Sequence, residues 1–274
     1  MLHPLIADPS VTRHILKRFK LRAVKGLGQN FLIDAGTVQK IVEAAQICAE
    51  DEVLEIGAGI GTLTQGLLEA GAKVTAVEVD KKLPAVLKET LAGYENFRLI
   101  EGDILKLNLA ELMPQKFKVV ANLPYYITTQ ILLTLLEKNL PVTKIVTMVQ
   151  REVAERMTAA PGSKIYGALS VAVQFRSEPR IAFEVPPEKF LPPPEVTSAV
   201  VVCDVRKPPF EVNEDFFIKV VRTAFAQRRK TLLNSLACFG KEKLLASGID
   251  VTRRAETLSL EEFATLANFL EANS

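Results

Sequence analysis

The run Asn122-Leu123-Pro124-Tyr125 combines residue types that can activate an aromatic amine. The exocyclic nitrogen of adenine is a weak nucleophile because its lone pair is delocalised into the ring. Acceptors on its N–H groups localise that pair, and the Asn122 side-chain oxygen and a carbonyl at Leu123 or Pro124 are such acceptors. Pro124 fixes the backbone, and the Tyr125 ring offers a face on which a base can stack. A strand-to-helix turn without chemistry is the alternative interpretation.

Methyl transfer to such an amine depends mostly on positioning and preorganised electrostatics, so it requires no strong base. The sequence agrees with this, because its 2 histidines, His3 and His14, both lie near the N-terminus. Acid–base catalysis by a core histidine is therefore excluded by the inventory of residues.

A glycine-rich run, Glu55-Ile56-Gly57-Ala58-Gly59-Ile60-Gly61, predicts a nucleoside cofactor site. Glycines such as Gly57 and Gly59 between a strand and a helix let the backbone approach a ligand closely. Glu78 follows about twenty residues later, where an acid can bind two ribose hydroxyls. Nicotinamide dinucleotides fit less well, because Thr62 occupies the position of their third glycine. Asp103, after the third strand, can accept a hydrogen bond from a cofactor amine, although Gly-Asp pairs are also common turn formers.

The elements around these residues alternate between strands and helices. Apolar strands are predicted at residues 52–56, 73–79, 97–100, 118–121 and 144–149. Helices are predicted at residues 34–45, 62–70, 82–91, 127–137 and 151–158. This alternation predicts an α/β fold with a doubly wound parallel sheet, which resembles a Rossmann fold. Its ligands bind at the carboxyl ends of the strands, where the Asn122 motif and the glycine run both lie.

The pattern changes beyond residue 160. Strands are predicted at residues 168–175 and 197–205, joined by a proline-rich segment, as an antiparallel addition at one sheet edge. Helices follow, at residues 214–226 with Asn213 as the N-cap, at 230–237, and after a Ser259–Glu262 capping box. A short N-terminal helix capped by Ser10 is also expected. We divide the chain into residues 1–207, a methyltransferase domain with a basic N-terminal extension, and residues 208–274, a small all-helical domain.

Composition limits the partners of the chain. The net charge of +2 is small, but basic residues gather between Arg13 and Lys25 and between Arg222 and Lys230. A solvated face is the ordinary interpretation of one such run, whereas two runs flanking a catalytic core favour a polyanion as the binding partner.

The 3 cysteines are far apart, which argues against disulfides or a zinc site. The sequence also lacks a membrane-spanning run and a signal peptide, so we expect a cytoplasmic location.

With these motifs together, the chain resembles the bacterial KsgA (RsmA) family, the dimethyladenosine transferases of small-subunit ribosomal RNA. Further stretches carry the resemblance: Leu27-Gly28-Gln29-Asn30-Phe31-Leu32, Gln150-Arg151-Glu152-Val153-Ala154, Phe190-Leu191-Pro192-Pro193-Pro194-Glu195-Val196-Thr197-Ser198 and Phe225-Ala226-Gln227-Arg228-Arg229-Lys230. It covers nearly the whole chain, and departs from the family at Gln130, where proline is expected.

The resemblance implies S-adenosylmethionine as the methyl donor and no metal. It implies cofactor contacts at Asn30, Leu32, Gly57, Glu78, Asp103 and Asn122. It further implies that Tyr125 and Phe190 flank the target base, and that the substrate is a pair of neighbouring adenosines near the 3′ end of 16S rRNA. Each adenosine would be methylated twice on N6, in the 30S subunit or its precursor, by a monomeric enzyme.

The basic clusters are expected to contact RNA phosphates, which position a substrate without reading its sequence. The residues assigned to them are Arg18, Lys20, Arg22, Lys25, Arg222, Arg228, Arg229 and Lys230. Two alternatives stay open at this point: a 23S rRNA methyltransferase of the macrolide-resistance type, and a non-catalytic ribosome-assembly factor. A nicotinamide oxidoreductase is a more distant alternative.

Overall fold

A computed structural model describes residues 4–24, 26, 28–137 and 140–274 of the chain. Strands are numbered in chain order: β1 (Phe31–Leu32), β2 (Glu52–Ile56), β3 (Lys73–Glu78), β4 (Phe97–Glu101), β5 (Phe117–Asn122), β6 (Val142–Gln150), β7 (Ser177–Val185), β8 (Phe190–Leu191) and β9 (Ser198–Val205). The main sheet has the order β4-β3-β2-β5-β6-β9-β7, while β1 and β8 form a separate antiparallel pair.

Helices are numbered in the same way. They are α1 (Pro9–Arg18), α2 (Ala35–Ala45), α3 (Thr62–Glu69), α4 (Leu83–Thr90), α5 (Leu109–Leu112), α6 (Thr128–Glu137), α7 (Arg151–Met157), α8 (Ala168–Arg176), α9 (Glu214–Phe225), α10 (Leu232–Ser235), α11 (Lys241–Ala246) and α12 (Leu260–Ala272). The helices and strands expected between residues 34 and 158 are all present, with ends that differ by one or two residues.

The direction in which strands are added to the sheet places the functional motifs together. Strands β2, β3 and β4 extend the sheet one way and β5 and β6 the other, all of them parallel. The switch point therefore lies between β2 and β5, and a ligand crevice is expected at their carboxyl ends. The glycine run follows β2 and Asn122 ends β5, so one crevice receives both motifs. This confirms the doubly wound fold.

The antiparallel addition is confirmed, but one of its strands is not where the sequence placed it. Strand β9 pairs antiparallel with β6, and β7 lies beyond β9. Residues 168–175 were expected to be a strand and instead form helix α8. Six of the nine residues of α8 are buried and the other three are partly buried, so the helix lacks the exposed polar face that marks a surface helix. The Ser170 hydroxyl accepts the Gly167 N–H at 3.0 Å and caps this helix.

The N-cap of α1 is also different from the expected one. Asp8, and not Ser10, caps this helix: its Oδ1 accepts the N–H groups of Ser10 at 2.7 Å and Val11 at 3.3 Å. Pro9 occupies the first turn, where a missing N–H costs nothing. The helix expected at residues 230–237 is limited to α10. The capping box of Ser259 and Glu262 is present at α12.

Contacts divide the chain into two compact units, Met1–Ala154 with Arg180–Val205, and Glu155–Pro179 with Arg206–Ser274. The sequence placed a boundary after residue 207, and the chain does enter the second unit at Arg206. Residues 155–179, which were assigned to the first domain, group with the second unit because α8 packs in its core. Phe175 of α8 stacks there on Phe217 of α9, with ring centroids 4.3 Å apart.

Candidate active site

A cavity of about 210 Å³ lies in the first unit, at the carboxyl ends of its parallel strands. Its walls are segments 28–32, 55–60, 62–63, 77–79, 102–105 and 122–127, with Leu83. Three acidic residues, Glu55, Glu78 and Asp103, line the cavity, and no described lining residue is a lysine, arginine or histidine. Its charge therefore favours a ligand that carries positive charge.

The glycine run forms an open turn beside this cavity. Gly57 and Gly59 have φ angles of 79° and 61°, a left-handed conformation that side chains rarely adopt. A Cβ added to Gly57 would meet no atom within 4 Å, since that position faces open space. The turn therefore leaves room for a ligand to contact its backbone directly. The cofactor-binding role of Gly57 and Gly59 stays a prediction.

Glu78 is held by the backbone around it. It is 5% exposed at the end of β3, where Oε2 accepts the Gly59 N–H at 3.0 Å and Oε1 accepts the Asp80 N–H at 2.9 Å. Burial raises the pKa of this carboxyl, and the two N–H donors work against that rise. The side chain thus has a fixed orientation at the cavity wall, as a ribose-binding acid requires.

Glu55 begins the glycine-rich run, and sequence reasoning missed it as a candidate site residue. It is 1% exposed on β2, its Oε2 has no hydrogen-bond partner among the described residues, and it lines the cavity. Burial raises its pKa to about 8; the Thr64 hydroxyl works against this rise, and the neighbouring Glu78 carboxylate adds to it. The available signal was an acid between the apolar residues Leu54 and Ile56 of β2, since an uncompensated buried carboxyl needs a functional reason.

Asp103 and Asn30 occupy the other walls. The Asp103 Oδ1 accepts the Leu105 N–H at 3.1 Å, so Asp103 both forms a turn and lines the cavity. Its Oδ2 lies 3.7 Å from the Nζ of exposed Lys106. The Asn30 side chain donates to the Gly28 carbonyl at 3.2 Å, and Leu32 follows it in β1. The cavity therefore contacts every residue expected to bind the cofactor, Asn122 included.

The Asn122 motif begins at the last residue of β5 and turns into α6. The Leu123 N–H donates to the Met148 carbonyl on β6 at 3.1 Å, which fixes the exit from the strand. The Pro124 carbonyl accepts both the Ile127 N–H at 3.2 Å and the Thr128 hydroxyl at 2.9 Å. A carbonyl has two lone pairs, and the turn occupies both at Pro124. Of the two carbonyls that the sequence left open, Leu123 is the better acceptor for a substrate.

Tyr125 is anchored through its phenol. The hydroxyl lies 2.7 Å from the Ser198 hydroxyl, and Ser198 is fully buried at the start of β9. Burial raises the pKa of Tyr125, and the Ser198 contact partly offsets this rise. Sequence reasoning missed Ser198 as a site residue, because no local pattern pairs residues that are 73 positions apart. The neighbouring Tyr126 lines the cavity mouth and is 54% exposed.

Phe190 occupies a different place from the other expected site residues. Its ring is 2% exposed in the hydrophobic core, and it does not belong to the described cavity lining. It pairs in register with Leu32, which does line the cavity. The Lys189 Nζ contacts Asp34 Oδ1 at 2.7 Å and the Ile33 N–H donates to the Lys189 carbonyl at 2.8 Å, so β8 holds β1 in place. The base-flanking role of Phe190 stays a prediction.

The basic residues assigned to RNA are exposed wherever they are described. Arg18 pairs with Glu89 at 2.9 Å on the surface, and Arg228 donates to the Lys164 carbonyl at 2.7 Å. Lys20, Arg22, Arg222, Arg229 and Lys230 are exposed as well. Lys25 lies outside the described residues. Among the described residues, no helix is long and apolar enough to cross a membrane.

Comparisons with known proteins agree with this geometry. The profile of a family described as "Ribosomal RNA adenine dimethylase" matches residues 20–272. The chain is 46% identical to "Ribosomal RNA small subunit methyltransferase A" of Alkaliphilus oremlandii, over 97% of this chain and 98% of that protein.

Two solved structures have similar folds. A dimethyladenosine transferase from Plasmodium falciparum has a TM-score of 0.72 and 29% identity, covering 86% of this chain and 95% of the other. The 23S rRNA methyltransferase ErmE has a TM-score of 0.68 and 25% identity, covering 88% of this chain and 100% of the other.

Proposed function

The chain belongs to the ribosomal RNA adenine dimethylase family, and on that premise we propose that it dimethylates N6 of two adjacent adenosines near the 3′ end of 16S rRNA. The methyl donor is S-adenosylmethionine, and the substrate is the 30S subunit or its precursor. The enzyme acts in the cytoplasm as a monomer. The observation that carries the proposal is the placement of the Asn122 motif and the Glu78 carboxylate on one cavity beside the switch point of the sheet.

The choice of 16S rRNA as the proposed substrate rests on the similarity of the chain to small-subunit methyltransferases. Small-subunit methyltransferases match the chain at 46% identity over nearly its full length, whereas the 23S enzyme ErmE reaches 25%. Both groups share the fold, so the fold alone does not separate the two substrates. The higher identity favours the small subunit over the macrolide-resistance type of substrate.

The residues present fit the cofactor. Glu78 has a fixed carboxylate for ribose hydroxyls, Asp103 an acceptor for an adenine amine, and the open turn at Gly57 room for close approach. Bound S-adenosylmethionine supplies an electrophilic methyl group on a sulfonium. Asn30 and Leu32 close the wall formed by β1, and Asn122 faces both the cofactor and the target base.

The amine is activated by two acceptors in this proposal. The Asn122 side-chain oxygen and the Leu123 carbonyl each accept an N–H of the adenine amine, which directs the nitrogen lone pair toward the methyl group. The nitrogen bonds to the methyl carbon as the carbon–sulfur bond breaks, and the amine proton leaves to solvent. Tyr125 holds the base by stacking once it has left its neighbours in the RNA. Exposed arginines and lysines bind the phosphates.

The second methylation proceeds with one hydrogen bond fewer between the amine and the two acceptors. The monomethylated amine retains one N–H, so only one acceptor keeps a donor, and the nitrogen must rotate to present its lone pair again. The acceptor on Asn122 sits on a side chain that can turn, whereas the Leu123 carbonyl is fixed by the strand exit. We therefore assign the remaining hydrogen bond in the second transfer to Asn122.

Mass spectrometry of 16S rRNA tests the proposal. Undermethylated 30S subunits, incubated with the protein and the methyl donor, should gain dimethyladenosine at two adjacent positions near the 3′ end. Asn122→Ala should abolish the product and leave RNA binding intact, while Asn234→Ala, at an exposed residue of the second unit, should methylate normally. Product on 23S rRNA alone would contradict the substrate, and full activity of Asn122→Ala would contradict the mechanism. RNA binding without any methyl transfer would point to an assembly factor.

A further inference from the structure

The acidic lining of the cavity should distinguish the methyl donor from the product of the reaction, because only the donor carries a sulfonium charge. The three carboxyls of the lining have no basic partner within it, and the nearest ion pair, from Asp103 to Lys106, involves a lysine whose side chain is 83% exposed. S-adenosylmethionine carries a sulfonium, an ammonium and a carboxylate, whereas its demethylated thioether has lost the sulfonium charge. A negative cavity therefore binds the donor better than the product.

Among the three carboxyls, Glu55 has the least compensation. Glu78 accepts two backbone N–H groups and Asp103 accepts one, but the Oε2 of Glu55 has no partner among the described residues. Two groups act on its carboxyl: the Thr64 hydroxyl on α3, which lowers its pKa, and the Glu78 carboxylate from β3, which raises it. No described cation lines its surroundings. A carboxyl so placed keeps its proton until a positive charge enters.

We propose that Glu55 is the residue by which the cavity discriminates the cationic methyl donor from the neutral-sulfur product. Glu55 is protonated in the empty cavity and gives its proton to solvent when a sulfonium ligand binds. The new carboxylate then attracts the sulfonium. Once the methyl group has been transferred, the attraction ends, Glu55 takes up a proton again and the thioether is released. The proposal rests on the proposed function, because it assumes that the cavity holds this cofactor.

The raised pKa of Glu55, about 8, gives the direction of the proton effect. At pH 7 a free carboxyl with that pKa is protonated in about nine molecules of ten, so binding the donor should release close to one proton. Affinity for the donor should therefore rise as pH increases toward 8 and then level off. The thioether brings no sulfonium, so Glu55 should keep most of its proton and the affinity should change little over the same range.

Isothermal titration calorimetry on the full chain measures this directly. S-adenosylmethionine and S-adenosylhomocysteine are titrated at pH 7 in buffers of different ionisation enthalpy, which gives the number of protons released. We expect near one proton for the first ligand and little for the second. Glu55→Gln should abolish the release and reduce the affinity ratio of the two ligands at least tenfold. Subtracting the variant from the parent chain also removes any titration of the ligand itself.

Glu52→Gln is the matched control, because Glu52 lies on the same strand but pairs with Lys73 on the surface; it should behave like the parent chain. Equal proton release with both ligands, or release that persists in Glu55→Gln, would overturn the proposal. The comparison of the two ligands on the parent chain stands even if Glu55→Gln fails to fold. Donor binding without proton release would refute this inference alone, whereas failure of both ligands to bind would refute the proposed function.

Discussion

The contact between Tyr125 and Ser198 predicts a specific loss when the serine hydroxyl is removed. The two oxygens are 2.7 Å apart, with Ser198 fully buried and Tyr125 partly exposed. A neutral hydrogen bond of this kind contributes about 1 kcal/mol, because water at the partly exposed phenol replaces some of it. If the bond fixes the ring for stacking, Ser198→Ala should reduce kcat/KM for the RNA about fivefold. Binding of the methyl donor should not change.

A double-mutant cycle isolates this pair. Tyr125→Phe also removes the bond but keeps the ring, so adding Ser198→Ala to it should cost nothing more. The assay is methyl incorporation into undermethylated 30S subunits under conditions that give kcat/KM. An RNA with 2-aminopurine at the target position adds a reading of stacking without chemistry, since that base lacks the N6 amine. Its fluorescence should be quenched less in Ser198→Ala.

Ser177→Ala is a suitable control for general stability. Ser177 is also fully buried, and its hydroxyl donates to the Val173 carbonyl at the same distance of 2.7 Å, away from the cavity. It should destabilise the chain to a similar extent and leave kcat/KM unchanged. Additive effects of Ser198→Ala and Tyr125→Phe, or an equal loss of activity in Ser177→Ala, would refute the anchoring role.

Three further predictions concern stability and RNA binding. Gly66→Ala places a methyl against Cγ1 of Val38 and should lower the free energy of unfolding in urea by about 1–3 kcal/mol. Adding Val38→Ala removes the clashing methyl, so the double variant should be more stable than Gly66→Ala alone. Equal stability of the single and the double variant would contradict the clash. Burial raises the pKa of Glu55 in the folded chain to about 8, against an ordinary pKa of 4.5. Between these two pH values the unfolded state therefore binds fewer protons than the folded state. The free energy of unfolding should fall as the pH rises through this range, by up to about 5 kcal/mol. Urea unfolding from pH 5 to 9 should therefore be flatter for Glu55→Gln, and parallel curves would contradict the buried neutral form. Neutralising Arg228 and Arg229 should weaken binding to the RNA and flatten its dependence on salt, and unchanged binding across several salt concentrations would exclude the cluster as a phosphate site.

Sequence patterns predicted most of the cavity because its residues follow strand ends. Buried parallel strands are apolar runs, and the polar residues just after them, such as Glu78, Asp103 and Asn122, meet at one edge of the sheet. The alternation of strands and helices predicted parallel strands, whose carboxyl ends share one edge; the strand order itself comes from the structure. The same logic supplied the cofactor turn at Gly57.

What escaped prediction depends on packing between distant segments. Helix α8 has no fully exposed residue, so its sequence lacks the alternation of a polar and an apolar face that identifies a surface helix. The bond from Ser198 to Tyr125 joins different elements, and no local pattern marks it. The preference for the Leu123 carbonyl emerged only when Pro124 was seen to accept two hydrogen bonds within its own turn. The position of Phe190 within the core, behind Leu32, likewise depends on the pairing of β1 with β8.

The pairing of β1 with β8 also determines when the cavity can be completed during protein synthesis. Asp34 and Lys189 are 155 positions apart, so the wall containing Asn30 and Leu32 leaves the ribosome long before the strand that holds it. At about 5–20 residues per second, the delay is roughly 8–30 s. The parallel strands β2 to β6 are all synthesised within that interval. A nascent chain can thus form these parallel strands and its glycine turn before β8 is available to pair with β1 and hold that wall of the cavity.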